Sequence, residues 1–134
     1  MREGGVDAVH VTIAYHEIFR EMVANIEQWN RWFEAFPQLI CHGRSGNDVR
    51  RAKKDGRTAI IFGFQNPSPI EDDIGLVEIC HMLGVRFMQL TYNNQSLLAT
   101  GCYEAEDSGI TRMGRAVIKA VSYTHLTLPT NKAV

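Results

Sequence analysis

No stretch of this 134-residue chain approaches the roughly 20 consecutive apolar residues of a membrane-spanning helix. Its opening, MREGGVDAVHV, also has no apolar signal-peptide segment. Charge of one sign is equally scarce. Fourteen Lys plus Arg stand against fifteen Asp plus Glu, a net charge of -1, which leaves no electrostatic excess to attract nucleic acid or an anionic membrane. Cysteine is sparse too. Cys41, Cys80 and Cys102 are odd in number, widely spaced and without a Cys-x-x-Cys pair, which argues for free thiols in a reducing compartment rather than a disulfide framework or a zinc ribbon, so a cytoplasmic protein is expected. No internal repeat or low-complexity linker divides the chain, and a hydrophobic content of 45% is enough for one buried core.

What the chain does contain alternates between strand and helix periods. Val6 to Ala14, with Val9, Val11 and Ile13 on one face, predicts a strand. Ile18, Met22, Ile26, Trp29 and Phe33 then recur at spacings of three and four, a helix from Glu17 to about Phe36 that Pro37 stops. Ser45 and Asp48 open a second helix, and the basic run from Arg50 to Lys54 and Gly56 close it near Asp55. TAIIF, from Thr58 to Phe62, predicts a buried strand ended by Gly63. Ser68, Pro69 and Glu71 read as a capping box for a helix that Gly84 terminates, and Val85 to Leu90 as the next strand. Strands joined by a helix run parallel, because only a crossover can accommodate the helix. A long polar loop, Tyr92 to Gly109, precedes a last helix from Ile110 to Ala120. Two sets of polar groups, after Phe62 and after Leu90, thereby fall at one end of a parallel sheet, where open-sheet and barrel enzymes place their chemistry.

The segments GFQN, EDDIGLVE, LGVRFMQLTYNN and GCYE, then DSGIT and GRAVI, preceded by GGVDAVHVT and IEQWNRWFE, occur in this order between Met1 and Ala120. Together they resemble the membrane (renal) dipeptidase family of zinc metallopeptidases, especially its bacterial members. The resemblance implies a (β/α)8 TIM barrel of parallel strands, of which about three βα units lie here. It also implies hydrolysis of a small dipeptide by zinc-activated water, with one or two zinc ions. Family members hold their zinc through a His-x-Asp pair, a bridging glutamate and two later histidines. No His-x-Asp occurs in this chain, and alignment places Gln65 at the bridging glutamate position. A neutral amide offers one carbonyl oxygen and no charge between two dications, so a weakly held second ion is expected. Tyr92 stands where family members carry a substrate-contacting histidine. Tyr92, Asn93 and Asn66 are therefore the expected substrate-binding residues, and Gln65 the expected metal position. The alternative is a catalytically impaired barrel that binds a small amide or peptide without hydrolysing it. Whether the protein forms a homodimer is left open.

Other polar groups read more plainly. Three acids, Glu71, Asp72 and Asp73, suit the first turn of a helix. His10 reads as a structural mid-strand residue and His81 as a packed helix residue. His16 reads as a helix-start group, the Cys41-His42 pair as connecting segment, and Arg50 to Lys54 as a solvated helix end. Val121 to Thr130, VSYTHLTLPT, looks like translated sequencing adapter, so residues 121–134 are expected to be a non-native or disordered tail and His125 no part of a site. On that reading 1–120 is a barrel fragment with unpaired sheet edges, prone to aggregate and inactive alone.

Overall fold

The computed structural model describes residues 3–124. Its centre is the strand β3 (Thr58–Phe64), where six of seven residues are buried. All pairings in the sheet are parallel. The strand β1 (Ala8–Ala14) runs along one edge of β3, with Val11 opposite Phe62 and Thr12 opposite Gly63. Two shorter strands share the other edge. The strand β2 (Ile40–His42) pairs with Thr58 to Ile60, and β4 (Val85–Met88) pairs with Phe62 to Phe64. The fold class read from the sequence is therefore the one observed.

The helices follow from local chemistry that the sequence exposes to different degrees. In α1 (Phe19–Ala35) the apolar stripe turns inward, burying Met22 and Ile26 and partly burying Trp29 and Phe33. In α2 (Gly46–Lys54) Ser45 Oγ accepts from Asp48 N at 3.2 Å, and Gly56 leaves the helix at φ +67°. In α3 (Gly75–Met82) Val77 and Cys80 are buried, and Gly84 follows at φ +102°. The last helix, α4 (Arg112–Thr124), buries Gly114, Val117 and Val121 and so runs four residues past Ala120. Residues 125–134, with His125, lie outside the described residues. Among the described residues, no helix is long and apolar enough to cross a membrane.

Three expectations need correction. Gly63 does not end its strand, because β3 continues to Phe64 with Gly63 fully inside the sheet. A Cβ there would meet His10 Nε2 at 1.9 Å and Phe87 Cβ at 2.9 Å, so the glycine makes room for a neighbouring ring. The capping box at Ser68 does not form. Residues Ser68–Ile70 make a 3-10 turn, Ser68 Oγ donates to Tyr15 O at 3.5 Å, and Glu71 Oε1 accepts from Phe19 N at 3.4 Å, at the start of α1. The first turn of α3 comes later, after Asp73 Oδ1 has accepted from Gly75 N at 2.8 Å. Finally, β2 has no counterpart in the sequence reading, since three residues are too few to show a period.

The core lies between the helices and one face of the sheet. The Phe62 ring is fully buried, 6.1 Å from Trp29 and 6.0 Å from Phe33. His42 completes this cluster, its ring 4.2 Å from Phe62 and 5.5 Å from Phe33. Its Nδ1 accepts from Arg44 Nε at 3.2 Å, and its Nε2 is buried without a hydrogen-bond partner among the described residues. Burial first, and then the Arg44 charge, pull the His42 pKa from 6.5 down to about 4.

That shift has a sign. Between about pH 6.5 and pH 4 an unfolded His42 binds a proton that the folded one does not, so stability is complete above pH 6.5 and falls as pH drops toward 4. Solvent screening of a partly exposed ring holds the loss to about 1–2 kcal/mol. Urea midpoints measured across this window should drift less in His42→Leu than in the wild type. Parallel drift in both would assign the acid sensitivity to other groups.

Candidate functional site

Because β1, β3 and β4 are parallel, the residues that follow them emerge at one end of the sheet. Gln65 N donates to Ala14 O at 3.0 Å, and Gln89 N donates to Phe64 O at 3.1 Å, which ties the three strand ends together. Tyr15, Gln65 and Tyr92 therefore belong to the same rim, and the Tyr15 and Tyr92 rings meet edge-on at 6.5 Å. Tyr92 is 40% exposed. Asn93 is engaged within its loop: its Oδ1 accepts from Cys102 Sγ at 3.6 Å and its backbone carbonyl from Tyr103 N at 2.8 Å. The face of β3 that carries Gly63 packs against His10 and Phe87, whose rings lie 5.2 Å apart, while Phe62 points to the helices. Partial burial holds the His10 imidazole below its ordinary pKa, consistent with a structural role.

Asn66 leads elsewhere. It is only 7% exposed and helps to line a cleft of about 280 Å³, together with His16, Ser68, Glu71 and the segment from Asn94 to Leu98. Neither Gln65, Tyr92 nor Asn93 lines this space. The cleft has three walls, each set by a strand end. After β1, the Glu17 carboxylate accepts from the backbone of Tyr15 and of His16, the latter at 3.0 Å, and fixes the turn into α1. Burial acts to raise the Glu17 pKa, but these backbone N–H groups outweigh it and hold the carboxyl below its usual range. After β3, Asn66, Pro67 and Ser68 form the second wall. After β4, Ser96 Oγ donates to Leu90 O at 2.8 Å and accepts from Leu98 N at 2.9 Å and Ala99 N at 3.1 Å, which folds the third wall over the cleft.

The sequence reading misses this wall, because Gln95, Ser96, Leu97 and Leu98 carry no motif and sit inside a long loop. It also assigns His16 and Glu71 to helix starts alone. Glu71 does serve a helix start, that of α1 rather than α3, and it lines the cleft as well. The remaining candidates stay apart from the strand ends. Cys80 is buried, and burial pushes its thiol up to about 12, which makes it inert. His81 is half-buried, and its backbone carbonyl accepts from Arg86 Nη1 at 2.8 Å. The basic end of α2 is occupied by ion pairs, Lys53 with Asp7 at 2.6 Å and Arg51 with Asp48.

Among the described residues, no group of three or more His, Cys, Asp or Glu side chains is placed to hold a metal ion. The rim offers amide and phenol oxygens instead, so these residues alone do not fit a metal centre.

Comparison with known proteins identifies the family and the fold. Residues 1–126 match the family described as membrane dipeptidase (peptidase family M19). The chain superposes on the crystal structure of an amidohydrolase from Pseudomonas aeruginosa with a TM-score of 0.91 at 38% identity, over 95% of this chain and 39% of that one. A dipeptidase, a metallo peptidase of family M19, gives 0.83 at 17% identity, over 96% of this chain and 44% of that one. Dipeptidase verJ of Clonostachys rogersoniana is 24% identical over 133 residues, 92% of this chain and 34% of its own length. The chain thus spans about a third of the length of the curated relatives it matches. The structural relatives are parallel TIM barrels, and the described strands are a part of one.

Proposed function

From the premise that this chain belongs to the membrane dipeptidase family, whose members are hydrolases and metallopeptidases, we propose that the whole protein is a zinc-dependent dipeptidase. The observation that carries the reading is the family match over residues 1–126. It is supported by three parallel strand ends that bring Tyr15, Gln65 and Tyr92 to one rim. The substrate is a small dipeptide. Zinc supplies a Lewis acid and an activated water, and its ligands come in large part from outside the described residues.

What the described residues contribute is hydrogen bonding. The Gln65 side chain makes no hydrogen bond among the described residues, so its carboxamide is available to a ligand. The Tyr92 phenol can donate to a peptide carbonyl or to an oxyanion. Replacement of a bridging carboxylate by Gln65 removes the charge that keeps two dications together, so the whole protein holds one zinc tightly at most. Metal content after exhaustive dialysis of the full-length protein should show at most one zinc per chain, rising in Gln65→Glu. Two tightly held zinc ions in the wild type would refute this.

The neutral rim also favours a second reading, a barrel that binds a small amide or peptide without cleaving it. Release of free amino acids from a dipeptide panel separates the two. Turnover by the full-length protein that stops on chelation supports the peptidase, whereas binding without release supports the second reading.

A further inference from the structure

Around the loop from Arg44 to Gly46, three arginines from three parts of the fold come together. Arg44 follows β2, Arg50 lies in α2 and Arg86 in β4. Arg86 Nε donates to Arg44 O at 2.7 Å, and Arg44 Nε donates to His42 Nδ1 at 3.2 Å. Arg50 Nη2 donates to Asn47 Oδ1 at 2.7 Å, which turns its side chain back toward the loop, and its Nη1 would lie 3.8 Å from a Cβ on Gly46. Gly84 leaves room on another side, since a Cβ there would lie 3.3 Å from Arg44 Nε.

The acid that reaches this loop is Asp48, and it is already engaged. Its Oδ2 accepts from Arg44 N at 3.1 Å and from Ser45 Oγ at 2.8 Å, and its Oδ1 pairs with Arg51. Among the described residues, no carboxylate stands within ion-pair distance of the Arg44, Arg50 or Arg86 side chain. Arg51 and Asp48 offset each other, so the other three arginines leave an uncompensated positive charge. Burial, and then the charge of Arg44, hold the Arg86 guanidinium below its ordinary pKa. Guanidiniums that repel one another are stabilised together by an anion that reaches them all.

The number and shape of the groups select the ligand. Each guanidinium is a planar fork of donors that matches the oxygens of a phosphate or a carboxylate. Three forks exceed what the two oxygens of a carboxylate can accept in pairs, whereas a phosphate dianion offers more oxygens and a second charge. The net charge of -1 on the whole chain gives no wider field to hold a nucleic acid, so the ligand is small. Arg44 and Arg50 are exposed, which leaves the loop open to it.

We infer that the loop between β2 and α2 binds phosphate, as the free dianion or as a monoester, through Arg44, Arg50 and Arg86. None of the residues assigned above to dipeptide cleavage takes part, so the inference stands or falls without that reading.

The test is calorimetric titration of the full-length protein with inorganic phosphate above about pH 7, where the ion is largely doubly charged. A dissociation constant of about 1 mM is expected, with acetate at equal ionic strength at least about tenfold weaker. Arg44→Gln and Arg50→Gln should each weaken phosphate about tenfold, the loss of one charge-assisted hydrogen bond. Arg31→Gln, which removes an exposed charge from α1, should leave the affinity unchanged. Glycerol 3-phosphate binding as tightly as inorganic phosphate identifies a monoester as the ligand, and binding of inorganic phosphate alone identifies the free ion. No binding of phosphate, equal binding of acetate, an affinity that Arg44→Gln and Arg50→Gln both leave unchanged, or an equal loss in Arg31→Gln overturns the inference.

Discussion

Phe62→Ala is expected to destabilise the fold by about 3–5 kcal/mol, the largest loss for any single truncation in this chain. The ring is fully buried and stands in the middle of β3, opposite Val11 on one edge and Val85 on the other. Trp29 and Phe33 from α1 and His42 from β2 close around it. Four elements converge on one side chain, so its removal leaves a cavity that no single element can collapse to fill. Urea unfolding of the wild type and the variant measures the difference. A change below about 1 kcal/mol would mean that this cluster is not the core.

Gly114→Ala should cost about 3 kcal/mol, with the opposite sign from the usual effect of that exchange inside a helix. A Cβ on Gly114 would lie 2.1 Å from the carbonyl oxygen of Leu98 and 2.8 Å from Ile110 Cγ2. The Leu98 oxygen cannot retreat cheaply. It already accepts from Thr111 N at 2.9 Å, and Thr111 Oγ1 donates to Leu97 O at 2.7 Å. The substitution must therefore lift α4 away from the loop, or the loop away from the cleft that Leu97 and Leu98 wall. Thermal denaturation measures the cost of either displacement. An alanine variant at least as stable as the wild type would show that α4 does not cross Leu98 so closely.

How much of this was legible in the sequence differs from element to element. The continuous apolar run of β3, the stripe of α1, Ser45 with Gly56 around α2, and Gly84 after α3 all act through neighbours in the chain. They fix the parallel α/β class and the end of the sheet that carries Gln65 and Tyr92. The misread elements depend on groups distant in sequence. Gly63 looks like a terminator until His10, fifty-three residues earlier, is seen above it. Ser68 and Glu71 have the spacing of a capping box, but Tyr15 and Phe19 engage them first. Hydrogen-bond partners from another element outcompete a local cap whenever the fold brings them within reach.

The site divides in the same way. The polar segments just after the strands are visible from strand order alone, but Gln65, Asn66 and Tyr92 are singled out within them through the family resemblance. The wall formed by Leu97 and Leu98 depends on how Ser96 folds the loop back onto Leu90. Nothing in the sequence announces that reversal. That Glu71 lines the same cleft as Asn66 likewise goes with a left-handed residue at a position where a helix was expected.

The division of one edge of β3 between β2 and β4 has an outcome for solubility. A strand flanked by a single short neighbour would present a half-row of bare amides and carbonyls to any passing chain. Here Ile40 to His42 shields the lower half and Val85 to Met88 the upper, so the central strand has no stretch on that side at which a foreign strand could dock. Shortening the connection that carries β2 would reopen this seam and convert an interior strand into a template for association.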